Sequence, residues 1–199
     1  IRANDNLAIL SAEAPINSPL MTDGAAFLQL QEEFRHAFEM TLIDLPRNML
    51  INFPHVLNEV NVAAVVCEMT LASARDTIRI LSWLKTNAGH VTPLVIANRV
   101  QPGTAEISKA DFEASIERKI DVSIPLDQKA ASAAAKLGKT VIDASGSSKM
   151  SAGIKQAASQ IIGLGETDSE DVEASDGKKS LLGGFDLKGL MTKKEKVPA

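Results

Sequence analysis

Cysteine is almost absent from this chain. Cys67 is the only one in 199 residues, which excludes a disulfide framework or a thiolate metal cluster within one chain. It falls inside the apolar run Val62–Cys67, where a free thiol packs as a small hydrophobe. No apolar run approaches the roughly 18 residues of a membrane span, and no secretory signal pattern occurs, so the cytoplasm is the expected compartment. Neither sign of charge dominates. With 21 basic and 25 acidic residues, net −4, nothing in the bulk charge points to nucleic acid as a partner. Common catalytic signatures are missing as well. There is no Gly-x-Ser-x-Gly elbow, no Cys/His nucleophile pair, and His36, His55 and His90 do not fall at helical ligand spacing. Gly138-Lys139-Thr140 imitates the end of a phosphate loop, but the first glycine position is Ala133 and the tripeptide follows a helix, so it is rejected.

At 45% hydrophobic residues, the chain suffices for one domain with a sizeable core. Leu7–Ser11 reads as a strand, Asp23–Phe38 as a helix with Phe27, Leu30, Phe34 and Phe38 at spacings of three and four, and Met40–Leu45 as a second strand. Leu50–Glu59 is a short, poorly periodic helix. Val62–Cys67 is a third strand, apolar throughout as if covered on both faces. Thr70–Thr86 is the clearest helix, with a stripe of Leu71, Ala74, Ile78, Leu81 and Leu84. Pro93–Ala97 is a fourth strand, ending at Asn98-Arg99. Ser108, with Asp111 in the capping-box position, starts a helix over Lys109–Arg118. Ile120–Ile124 is a fifth strand ending at Pro125. Asp127 caps the helix Gln128–Lys136, which Gly138 closes, and Ser151–Ile162 is the last helix.

Strands alternating with helices predict an α/β fold with a mainly parallel sheet and helices on both faces. Composition changes at Gly163. Six acidic residues and no basic one lie between Glu166 and Asp176, and six lysines follow from Lys178 onward. The expected division is a folded unit over 1–162 and a disordered tail over 163–199. Within that tail, Leu187, Leu190 and Met191 share a helical face, which suits a weak membrane-surface or partner-docking segment. Gly183, Gly184 and Gly189 oppose such a helix, and a plain tail is the commoner reading. A start at Ile1 rather than Met reads as a piece of a longer protein.

Three strand ends carry candidate chemistry, because ligands of open α/β sheets bind beyond the carboxyl ends of the strands. Asp44 closes the run Thr41-Leu-Ile-Asp44 before Pro46. It reads either as a carboxylate facing Mg²⁺ or its water shell, or as a turn-capping residue, the commoner role for such a pattern. Asn98 offers a donor and an acceptor together, as an adenine edge requires, or is a turn residue tolerant of left-handed geometry. Pro125-Leu-Asp127 is either a rigid wall beside a base or ordinary strand-to-helix loop chemistry.

Taken in order, Leu42-Ile-Asp-Leu-Pro-Arg47, Val65-Val-Cys-Glu-Met-Thr-Leu-Ala-Ser-Ala-Arg-Asp76, Val95-Ile-Ala-Asn-Arg99 and Ile124-Pro-Leu-Asp127 resemble the CpaE/TadZ proteins of Flp (Tad-type) pilus assembly. These belong to the MinD/ParA group of deviant Walker-A P-loop NTPases, and the resemblance covers about residues 4–162. It implies a MinD/ParA-like domain that lacks its N-terminal strand and phosphate loop. By resemblance, Asp44 takes the catalytic and metal-site role of the Walker-B aspartate near Mg²⁺. Asn98 with Arg99 contacts adenine, and Pro125 and Asp127 border the base. Arg47 and Arg75 match subfamily positions without an assigned role. The resemblance further implies ATP and Mg²⁺ as cofactors, a homodimer, pilus or secretion machinery proteins as partners, and placement at a cell pole or the inner face of the membrane. The family's lysine-bearing phosphate loop is not among these 199 residues, which opposes hydrolysis by them alone. The rival readings are a localisation scaffold with a degenerate nucleotide site and, more remotely, a metabolic α/β enzyme.

Overall fold

Three parallel strands organise the fold: β3 (Val62–Cys67), β4 (Thr92–Val100) and β5 (Val122–Pro125), in the order β3-β4-β5. The computed structural model describes residues 2–11, 17, 23–52 and 54–167. β3 and β4 pair without interruption from Val62↔Thr92 to Cys67↔Ala97. Each crossover is helical: α3 (Leu71–Asn87) joins β3 to β4, and α4 (Lys109–Ser115) lies between β4 and β5. The later helices are α5 (Gln128–Leu137), α6 (Val141–Ala144) and α7 (Lys149–Thr167).

Alternation along the strands divides the core in two. Cys67, Val95 and Ala97 pack with Ala74 of α3, with Phe112 of α4 and with Ile116 just past it. Leu94, Ile96 and Val122 turn the other way and meet Ala157 of α7. A further cluster joins Leu57, Val65, Leu84, Ala88 and Val91, with Leu45 and Leu50 packed against it. α7 sits close to the sheet because Gly153 faces β5, where a Cβ would come within 3.2 Å of the Ile124 Cα and the Ser123 carbonyl oxygen.

The caps behave as their residue types dictate. Thr70 Oγ1 accepts the Ser73 N–H at 3.1 Å, Ser108 Oγ accepts that of Asp111 at 3.1 Å, and Asp127 Oδ1 accepts that of Ala130 at 2.9 Å. Gly138 closes α5 in the left-handed conformation, at φ 59°. The Gly138-Lys139-Thr140 tripeptide is thus a helix stop followed by the N-cap of α6, because Thr140 Oγ1 accepts the Asp143 N–H.

Several expectations are corrected. Met40–Leu45 is not a strand. It runs without ladder hydrogen bonds, and Leu42 is 77% exposed. Apolar β-formers extend into a strand only when paired, and among the described residues this segment pairs with none. Leu7–Ser11 contributes only the two-residue β2 (Leu7–Ala8), which pairs antiparallel with β1 (Arg2–Asn4) away from the parallel sheet. β3 is not covered on both faces: Val66 is 61% exposed, since α7 packs mainly over β5. The buried side of α3 carries Ala74, Thr77, Leu81 and Leu84, whereas Leu71 and Ile78 of the expected stripe are exposed. Leu50–Glu59 resolves into α2 (Arg47–Asn52) and a 3₁₀ turn over Pro54–Leu57, as a proline would impose. α4 stops at Ser115 instead of Arg118. Glu117 turns to φ 53°, and Arg118 leaves the helix to donate to the Pro93 carbonyl at 2.7 Å. α7 continues past Gly163 to Thr167, and residues 168–199, where most of the expected tail falls, lie outside the described residues. The helix over Asp23–Phe38 is seen as α1 (Gly24–Ala37), packed on the 3₁₀ turn through Gln31, whose Nε2 donates to the Val56 carbonyl at 3.1 Å.

Candidate functional site

The carboxyl end of the sheet holds an irregularity that locates the candidate residues. Ala97 pairs with Ser123 and Val100 with Pro125, so Asn98 and Arg99 on β4 together face the single residue Ile124 on β5. This is a β-bulge, a device that re-aims side chains at sheet ends. Arg99 absorbs it at φ 56°, a conformation that costs a non-glycine residue about 1 kcal/mol or more. The bulge turns the Asn98 side chain toward its own backbone, and Asn98 Oδ1 accepts the Arg99 N–H at 2.9 Å. Among the described residues, its Nδ2 makes no hydrogen bond and remains a donor for another group.

Pro125 lies directly across from Val100, and the Leu126 N–H closes the ladder on the Val100 carbonyl at 3.0 Å. Two residues on, Asp127 is committed to the N-cap of α5. Asn98, Arg99, Pro125 and Asp127 are thus brought to one edge by two adjacent strands. The Arg99 guanidinium reaches across β4 to Glu68, just past β3, at 3.2 Å. Glu68 carries the same sequence signal as Asp44, an acidic residue at the end of an apolar run.

Asp44 is placed differently. It is exposed and belongs to no strand, so the ladder does not hold it at this edge. Its neighbours are anchored instead. Leu45 packs beside Leu57, Val65 and Leu84, and the Arg47 guanidinium is ion-paired with Asp76 in the first half of α3. That contact accounts for Arg47, whereas Arg75 points outward and is exposed. Among the described residues, no group of three or more His, Cys, Asp or Glu side chains could hold a metal ion. A lone exposed carboxylate suits the outer shell of Mg²⁺, which keeps several waters and takes its remaining ligands from phosphates and a second donor.

Two groups in the fold have shifted acidities. Burial pushes the Cys67 thiol above its usual value, with a hydrogen bond to the Thr77 side chain opposing. The Glu113 carboxyl lies below the usual range because Lys119 bonds it, at 2.9 Å, and the Ile120 N–H adds a bond at 3.0 Å. Neither serves the edge chemically. Both brace the core, Glu113 at the entry to β5. A cleft of about 360 Å³ opens between Thr92, Pro93, Arg118, Asp121 and Gln160. It lies at the amino end of β4, opposite the edge where sheets of this class bind ligands.

No protein-family model matches the chain, and no curated protein does either. Solved structures do. MinD of Aquifex aeolicus, in the MinC:MinD cell division protein complex, aligns with a TM-score of 0.63 at 19% identity, over 80% of this chain and 63% of that one. The cell division ATPase MinD of Pyrococcus furiosus gives 0.60 at 20% identity, over 71% and 59%. The septum site-determining protein MinD of Pyrococcus horikoshii, complexed with Mg-ADP, gives 0.60 at 16%, over 74% and 60%. The chain therefore has the α/β fold of these MinD structures. It spans about three-fifths of the length of the MinD chains it matches.

Proposed function

We propose that these residues form the base-side half of a nucleotide site in a CpaE/TadZ-type pilus assembly and polar localisation protein, one that binds Mg-ATP and dimerises when complete. The observation that carries this reading is the bulge at the end of β4. It brings the Asn98 carboxamide, whose Nδ2 makes no hydrogen bond among the described residues, to the same end of the sheet as Pro125 and the capping Asp127. Asn98 would read the base edge, Pro125 would wall it, and Asp127 would close it from α5. Asp44 would accept a hydrogen bond from water bound to Mg²⁺, which itself supplies charge neutralisation to the phosphates. The phosphate-binding loop and its lysines are not among these residues, and no hydrolytic step is assigned to them. The MinD fold supports the nucleotide reading, and the order of the four motifs supports the pilus reading. The solved complex of MinD with MinC gives precedent for a protein partner. Pilus machinery partners, a homodimer, and a cytoplasmic location at a pole or the inner membrane face follow from the same resemblance.

A second reading, a localisation scaffold with a degenerate site, is favoured by one observation: Asp44 stands exposed, outside the sheet. Titrating the protein expressed from its complete reading frame with fluorescent ATP, with and without Mg²⁺, separates the two. Asn98→Ala should weaken binding about tenfold, the loss of one good hydrogen bond to a buried base edge, and Asp44→Ala should remove the dependence on Mg²⁺. Binding that neither substitution alters would overturn the site, and no binding at all would favour the scaffold.

A further inference from the structure

The pair Glu68–Arg99 has no place in the reading so far, yet it joins two strand ends across the mouth of the candidate site. We propose that Glu68 is a positioning residue for base recognition, acting through Arg99 on the Asn98 carboxamide. The proposal deepens the nucleotide reading above and rests on it.

The chain of contacts is continuous. The backbone of Glu68 is tied to the first turn of α3, where its N–H donates to Ser73 Oγ at 3.0 Å. Its carboxylate takes the Arg99 guanidinium at 3.2 Å. Arg99 holds the left-handed conformation that makes the bulge, and its N–H binds Asn98 Oδ1 at 2.9 Å. The carboxamide therefore presents Nδ2 and one remaining lone pair of Oδ1 in an orientation set by Arg99. A left-handed arginine is an unfavourable residue at that point unless something outside the strand holds its side chain, and Glu68 is the group that does so. Held by Glu68, the guanidinium is drawn toward β3, away from Pro125 on the other flank of β4. The base edge is then left to the neutral amide, which separates an adenine-type edge from a guanine-type one by its donor and acceptor order.

The test is a two-residue cycle in the protein expressed from its complete reading frame, reading ATP and GTP affinity together with the thermal midpoint. Glu68→Gln should weaken ATP about three- to fivefold, the upper end of what an exposed ion pair holds. It should also narrow the ATP-over-GTP preference, with only the small fall in midpoint that loss of one exposed ion pair brings. In an Arg99→Gly background, where glycine takes the positive φ freely, Glu68→Gln should add nothing further, whatever Arg99→Gly does by itself. Wild-type affinity and preference in Glu68→Gln, or an equal loss in the glycine background, would overturn the proposal. Asn98→Ala keeps the two levels apart: if it leaves ATP binding intact, the nucleotide reading falls. If it removes binding while Glu68→Gln is silent, only the positioning role falls.

Discussion

Gly153 of α7 lies directly over Ile124 of β5, with space for a Cβ only 3.2 Å from the Ile124 Cα. The same Ile124 is the residue that the Asn98–Arg99 bulge faces. The helix and the candidate site thus press on one backbone position from two directions. Gly153→Val should lower stability by about 1–3 kcal/mol, the usual cost of forcing extra carbon into a packed contact. If β5 yields, nucleotide affinity should fall as well. Urea unfolding beside ATP titration checks both effects. A stable variant would show that α7 shifts as a body.

Glu113 gives an acid-side prediction. Its folded acidity is strengthened first by Lys119 and then by the Ile120 N–H. A carboxyl depressed in the folded state adds stability above its unfolded value, near 4.5, and that contribution fades as pH falls through the folded value. Glu113→Gln should flatten this limb of a stability-against-pH curve measured by urea unfolding between pH 6 and about pH 3. It should change little in shape above it.

Cys67 behaves oppositely. Burial is the larger influence and raises the folded value above 9.0. The protonated thiol therefore contributes stability in full below pH 9.0, and this is lost as pH rises through the raised folded value. At pH 8 the native thiol should resist a disulfide reagent and react at once in denaturant, because the thiolate is the reactive form. Rapid native labelling would place Cys67 nearer the surface than its 4% exposure.

The Arg47–Asp76 pair, at 60% and 38% side-chain exposure, should couple by about 0.2–1 kcal/mol in a double-mutant cycle. Added salt should screen that coupling. The charge-swapped pair should recover part of it. Failure of both signs would leave the segment anchored by the packing of Leu45 and Leu50.

Legibility followed the local signals. β3, α3, α5 and their caps were readable because each lies between a capping residue and a break, and because β3 and β4 find partners within the chain. Met40–Leu45 carried as good a strand pattern as Val62–Cys67. The pattern reports what a segment would bury, not whether a neighbour is there to pair with it. The Asn98–Arg99 bulge had no sequence mark, since neither glycine nor proline announces it. Arg47 was legible as unusual, but its partner Asp76 is 29 positions away, and only the fold brings them together.

The outer edge of β3 has one further consequence. Among the described residues, β3 pairs with β4 alone, and its sequence Val-Ala-Ala-Val-Val-Cys contains none of the lysines or prolines that blunt a bare edge. A row of unmet amide and carbonyl groups backed by Val66 is a template, indifferent to where the next strand comes from. Such an edge pairs with whichever strand reaches it first, from the same chain or from another copy of it.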